Sequence, residues 1–162
     1  MRRKDKRMTK DRLYLCLKQC GVVRIGFNDR EYPYIVPMNF GYEHIDGKDI
    51  LYMHCAVEGK KLDLMNTNPN VGFEMDIDYG ITHMDNPSEC STNYASIIGT
   101  GVLEKVESYS EKISALSILM KSLTEREVQI FDKRIVDKTT ILKLIIKNMT
   151  GKLSMDANTA EE

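Results

Sequence analysis

A mainly β chain with peripheral helices, closing as an antiparallel barrel, is what this 162-residue sequence predicts. About six short runs rich in Val, Ile, Tyr and Phe are separated by turn residues. Those runs meet through tight turns, which pair strands antiparallel without long crossovers. Neither a Gly-rich dinucleotide loop nor a GxxxxGK[ST] motif is found, so nucleotide folds of those kinds lack support. A set of short antiparallel strands leaves unpaired edges, and closure into a barrel removes them.

The elements follow in order. Thr9-Lys10-Asp11-Arg12 opens a stretch in which Leu13, Leu15, Leu17, Cys16 and Cys20 suit a short amphipathic helix, capped by Thr9 and ended by Gly21. Val22–Phe27 is the first strand and Asn28-Asp29-Arg30 its hairpin turn. Residues 32–42 (YPYIVPMNFGY) read as one second strand, whose two prolines remove ladder donors and place it at an edge or a bulge. Asp46-Gly47-Lys48 makes another hairpin turn, leading into a strand over residues 50–54.

Residues 60–68 have helical spacing through Leu62, Leu64 and Met65, and Asn68-Pro69-Asn70 stops them. Residues 71–76 alternate as a strand. Residues 77–93 (IDYGITHMDNPSECSTN) are polar and rich in turn formers, so a long loop is expected; a loop of that length, if ordered, is often functional, and it is expected to cover the site. Residues 94–106 are a strand, 110–121 an amphipathic helix, 123–135 a further short helix, and 139–147 (TTILKLIIK) a last β-branched strand.

Hydrophobic residues at 42% and charged residues at 29% describe one soluble globular domain. The net charge of -1 lacks the basic excess a nucleic-acid binder usually carries. No apolar run approaches the roughly 18 residues of a membrane span. The leader MRRKDKRMTKDR is basic but is followed by no apolar h-region, so it is expected to be a solvated arm and not a signal peptide. Cys16, Cys20, Cys55 and Cys90 then read as free thiols in a reducing cytoplasm.

The stretch LYMHCAVEGKKLD, residues 51–63, concentrates the candidate chemistry, and three readings compete for it. Structural zinc wants paired Cys/His spacings with a second pair; Cys16 and Cys20 have no matching pair, and His44, His54 and His83 are dispersed, so no metal site is expected. A Cys–His nucleophile needs both side chains together, yet neighbours on a strand point to opposite faces, which separates His54 from Cys55. The third reading is an anion site: Gly59 lets backbone approach a ligand, Lys60 and Lys61 bring charge, and a helix starts there with its free N–H groups. A solvated Gly-Lys-Lys corner is the plainer alternative.

Set beside other segments, this stretch acquires a family. YPYIVPMNFGY, LYMHCAVEGKKLD, Asn68-Pro69-Asn70-Val71-Gly72-Phe73-Glu74, Tyr94-Ala95-Ser96-Ile97-Ile98-Gly99-Thr100-Gly101, Met149-Thr150-Gly151-Lys152 and the opening Met1-Arg2-Arg3-Lys4-Asp5 occur in the order seen in the FMN-binding split-barrel superfamily of pyridoxamine 5'-phosphate oxidase. Within it the chain most resembles the 5-nitroimidazole resistance (Nim-type) proteins. That resemblance implies a six-stranded antiparallel split β-barrel over residues 1–154, with a disordered tail at 155–162. It also implies a homodimer with FMN in two interface grooves.

By the same resemblance, Val36, Pro37, Met38, Asn39 and Phe40 lie along the flavin, His54 and Cys55 flank it, and Gly59, Lys60 and Lys61 hold its phosphate. Ser96 approaches the same cofactor, and His54 is the residue expected to act on substrate. Tyr34, Phe40 or Tyr94 is left to stack on the ring, since the chain has no Trp. Pyridoxamine-phosphate oxidases carry substrate-binding arginines near the C-terminus, where this chain has MTGKLSMDANTAEE, so the resemblance brings no such substrate with it. The implied activity is FMN-dependent reduction of a small nitroaromatic or related molecule with NAD(P)H or another donor. The alternative is a non-catalytic flavin- or haem-binding sensor of the same fold.

Overall fold

The structure, a computed structural model, describes residues 4–124, 126 and 130–154. Among these described residues seven strands form one antiparallel sheet: β1 (Val22–Phe27), β2 (Tyr34–Asn39), β3 (Gly41–Ile45), β4 (Lys48–Ala56), β5 (Asn70–Thr82), β6 (Ser91–Val106) and β7 (Thr139–Ser154). Four α-helices accompany them: α1 (Lys10–Gln19), α2 (Lys60–Thr67), α3 (Tyr109–Thr124) and α4 (Lys133–Asp137). The strand order is β2-β1-β5-β6-β7-β4-β3. Its two edge strands are consecutive in the chain and joined through Phe40 alone, so the sheet must curl until its edges nearly meet. That curl is the split barrel.

The expected strand at residues 32–42 is therefore two strands, and the count is seven rather than six. Pro37 sits in β2, on an edge as its missing donor requires. The break follows at Phe40, and Gly41 begins β3 where α3 crosses closely: a Cβ there would lie 2.7 Å from the Leu119 nitrogen and 2.8 Å from the Ile118 carbonyl oxygen. The Asp46-Gly47 turn forms as expected, with φ of 52° and 71° at its two central residues, the left-handed pair of a type I′ hairpin.

Thr9 caps α1 by accepting from the Arg12 N–H at 3.4 Å. Residues before it are not a solvated arm throughout: Met8 is buried and its N–H donates to the Gly151 carbonyl at 3.0 Å, while Lys6 donates to Ser154 Oγ at 2.6 Å. The polar stretch 77–93 is also mostly strand. β5 runs on to Thr82 and β6 starts at Ser91, leaving only residues 83–90 between them. A register shift between Asp78 and Ile81, with Gly80 at φ 87°, absorbs the turn-like residues, and Asn93 ties the arm by donating to Thr82 at 2.8 Å. Of the short helix expected at 123–135, Leu123 and Thr124 extend α3 and residues 133–135 open α4; residues 125 and 127–129, like 1–3 and the expected tail at 155–162, lie outside the described residues.

Alternation sorts the side chains into two cores. Leu51, Met53, Met75, Ile97, Leu142 and Leu144 face the barrel interior with no measurable exposure, and α1 and α2 cover them with Leu13, Leu17, Leu62 and Met65. A smaller cluster of Val106, Ala115 and Ile141 lies on the opposite face of the sheet beneath α3, flanked by Tyr52 and Leu116.

One polar latch holds α1 to the β3–β4 hairpin. Asp49 accepts from Tyr42 at 2.8 Å and Tyr14 at 2.9 Å, and pairs with His44 Nδ1 at 2.7 Å. Burial pushes its pKa up, but the three hydrogen bonds outweigh burial and hold it below the ordinary value. A depressed folded-state pKa contributes stability above the unfolded value and loses it as pH falls. Stability should therefore drop as pH falls below about 4, through the folded pKa of Asp49. Acid titration of Asp49→Ala by circular dichroism should show a shallower decline over that range; an unchanged slope would remove Asp49 from the acid response.

Candidate functional site at the start of α2

The inner face of β4 leads to the first part of the site. Cys55 follows Met53 on that face and is half-buried against the barrel core. Burial pushes its thiol pKa up, opposed by the charges of Lys61 and Lys105. Lys105 enters through register: it pairs with Leu142, which also pairs with Met53, so β6 and β4 place it on the Cys55 side.

Four residues beyond Cys55 the chain turns into α2. Gly59 is its N-cap at φ 136°, in the region that side chains rarely adopt, and no atom lies within 4 Å of where its Cβ would be. The N–H groups of Leu62 and Asp63 close on the Gly59 carbonyl at 2.8 and 3.3 Å. No side chain caps this helix, and the N–H groups of Lys60 and Lys61 have no partner among the described residues. Open space, free amides and a positive helix end together favour an anion.

The two lysines of the motif differ. Lys60 pairs with Asp29 at 2.5 Å and lies over the Tyr34 ring at 4.8 Å, so it fastens α2 to the β1–β2 connection. Lys61 makes no ion pair among the described residues, and its charge lowers the Cys55 thiol pKa against the effect of burial. Lys61 and Lys105 thus both act on the Cys55 thiol, lowering its pKa, whereas Lys60 braces the corner.

β2 runs alongside as an edge strand, bonded only to β1, so one of its rows of backbone groups is unpaired. Val36, Met38 and Phe40 turn into the core, while Pro37 and Asn39 are exposed, and Asn39 donates to the Gly21 carbonyl at 3.0 Å.

His54 and Ser96 stand elsewhere. His54 points away from Cys55, as strand alternation predicts, and lines a cavity of about 230 Å³ with Leu116, Leu119, Met120, Phe131 and Val136. Ser96 is half-buried on the outer face of β6, paired across the ladder with Asp76 and Lys152. Lys152 lies 5.1 Å over the Tyr94 ring beside it, and Arg24 bridges Glu74 at 3.0 Å and Asp76 at 2.5 Å on the same face. Within one chain the predicted residues thus form separate groups, at the α2 corner, at the α3–α4 cavity and on the outer sheet face. Sequence reading missed Lys105, Asp29 and the Lys152–Tyr94 pair near Ser96. Nothing local marks the first two, because register alone brings β6 to Cys55 and the fold alone brings the β1–β2 connection to Lys60. Lys152 stood in the quoted MTGK segment, without a partner.

A curled seven-stranded antiparallel sheet with a cationic corner at a helix start defines the class, and sequence comparison gives the family. The chain belongs to the pyridoxamine 5'-phosphate oxidase family, whose sequence profile matches residues 9–153. A solved Bacteroides thetaiotaomicron protein, described as a 5-nitroimidazole antibiotic resistance protein, is similar at 30% identity over 90% of this chain and 85% of its own, with a TM-score of 0.78. The fold is shared with the flavocytochrome Anf3 of Azotobacter vinelandii (TM-score 0.80, 16% identity, 96% and 72% of the two chains). It is shared too with a FAD- and haem-binding protein of Mycobacterium smegmatis (TM-score 0.77, 20% identity, 94% and 77%). No curated protein matches by sequence.

Proposed function

We propose that this protein is a cytoplasmic, FMN-dependent oxidoreductase of the Nim-type group, acting as a homodimer on small nitroaromatic or related substrates. The observation that carries the reading is the α2 corner: an open Gly59, two free amides, and Lys61 with Lys105 suit a phosphate in a chain of this family. Bound there, the flavin supplies the electron transfer, and the protein's part is to hold and orient it. Lys61, Lys105 and the α2 amides take the phosphate, and the free backbone row of β2 offers partners to the polar edge of the ring. Exposed Ile35 and Ile98, 60% and 61% accessible on the outer face, give a second copy an apolar surface that would bring Ser96 to the shared groove.

His54 closes the description at the substrate side. Its cavity is lined by apolar side chains together with Asp132 and Thr139 and is of a size for a small ring, and an imidazole can donate a proton to oxygens on which charge develops. His54→Ala should retain FMN and fold while reducing turnover by about 10²–10⁴-fold, the usual range for an acid–base group. Steady-state nitroreduction with NADH or NADPH, alongside a flavin titration, checks this. Full activity in the variant would make His54 a wall residue only, and anaerobic flavin that no pyridine nucleotide bleaches would favour the sensor reading.

A further inference from the structure

Two cross-strand neighbours on the outer face of the sheet carry no side chain. Gly26 of β1 pairs with Gly72 of β5, with Ile35 of β2 beyond the one and Thr100 of β6 beyond the other. A glycine inside a strand packs nothing and weakens it, so its presence asks for a cause. Nothing within the chain supplies one. Neither residue has a positive φ, and an added Cβ would meet only the Gly72 carbonyl oxygen at 3.7 Å or the Gly99 carbonyl oxygen at 4.0 Å, both ordinary contacts. Gly99 and Gly101 differ: a Cβ on the first would strike the Phe73 ring, and one on the second the Ile145 carbonyl oxygen. The cause left for Gly26 and Gly72 is close approach from outside the chain.

The surroundings say what approaches. The two glycines floor a groove of about 510 Å³ bordered by Ile35, Ile98, Arg24 and Glu74. Ile98 is exposed and pairs with Glu74, two residues along β5 from Gly72. A projecting branched side chain therefore stands diagonally beside the recess, at the roughly 7–8 Å of such neighbours. An apolar projection and an apolar recess side by side are self-complementary: a two-fold rotation brings each projection to the other chain's recess. Charge permits that meeting. Arg24 bridges Glu74 at 3.0 Å and Asp76 at 2.5 Å, so the carboxylates beside the groove are paired within their own chain and two such faces meet without unpaired like charges.

We propose that the Gly26–Gly72 groove is the seat of the Ile98 side chain of a second copy of this chain, and that the contact is reciprocal across a two-fold axis. The inference rests on the homodimer of the reading above and assigns the contact that holds it. The two glycines then serve the dimer at the expense of their own strands. The assignment needs neither flavin nor the lysines of the α2 corner.

Sedimentation velocity of the full chain and two variants tests the contact. The parent is expected to sediment as a dimer. Gly72→Leu should sediment as a folded monomer at the same concentration, because the new side chain has open space in one chain and none between two. Fluorescently labelled Gly72→Leu mixed with unlabelled Ile98→Ala should return to a dimer, since the intact Ile98 of the first meets the open groove of the second and the trimmed residue meets the filled one. Near-UV circular dichroism checks folding, and Gly26→Leu takes the place of a Gly72→Leu chain that does not fold. A dimer that persists in the folded leucine variant, or a label that stays monomeric in the mixture, would overturn the contact and leave a dimeric flavoprotein standing. A monomeric parent would overturn it together with the homodimer of that reading. A colourless chain whose dimer responds as described would keep the contact and lose the flavin reading.

Discussion

Lys61→Ala combined with Lys105→Ala is expected to strip FMN from protein that otherwise retains it. Charge-assisted contacts are worth roughly 1.5–3 kcal/mol each, so losing two should weaken binding by about a hundredfold or more. Lys60→Ala should cost less, because Lys60 already serves Asp29 and Tyr34. Flavin fluorescence titrations of the three proteins at one ionic strength rank the effects. The same double variant makes an independent prediction without flavin: both lysines lower the Cys55 thiol pKa, so their removal should raise it. The pH dependence of Cys55 alkylation reads that rise. Unchanged FMN affinity with a raised thiol pKa would place the phosphate elsewhere while leaving the geometry intact.

Leu144→Ala is expected to cause the largest loss of stability, about 2–5 kcal/mol for a fully buried leucine. Leu144 has no exposure and stands in β7 opposite Leu51 on one side and Leu103 on the other, at the centre of the barrel wall. The wall there has little room to collapse: β6 approaches so closely that a Cβ on Gly101 would meet Leu144 Cδ1 at 2.8 Å and the Ile145 carbonyl oxygen at 2.5 Å. Urea unfolding should show a lower midpoint at unchanged slope. A shift below about 1 kcal/mol would mean that the site is surface-like or readily repacked.

Much of this architecture was legible because its signals are local. The Thr9 cap, the Asp46-Gly47 turn and the edge position forced by Pro37 each follow from the conformational demands of one or two residues. What escaped depends on distant partners. Phe40 continues a β-favouring run, and only the closing of the barrel and the passage of α3 over Gly41 show why the strand ends there. Residues 77–93 look like a loop because the β5–β6 arm has few buried positions; its strand character comes from register with the opposite strand. At the site, Gly59 and the adjacent lysines were visible as a motif, whereas the division of labour between Lys60 and Lys61 depends on Asp29, Tyr34 and Lys105. The opposite facing of His54 and Cys55 was predictable from strand alternation alone.

The central claim, that the α2 corner belongs to a flavin site, is tested most directly by the visible spectrum of the purified chain after incubation with FMN and gel filtration. Flavin absorption bands should co-elute with the protein and be lost in Lys61→Ala with Lys105→Ala. A colourless protein that leaves added FMN in the small-molecule fraction, or a Soret band with no flavin, would contradict it.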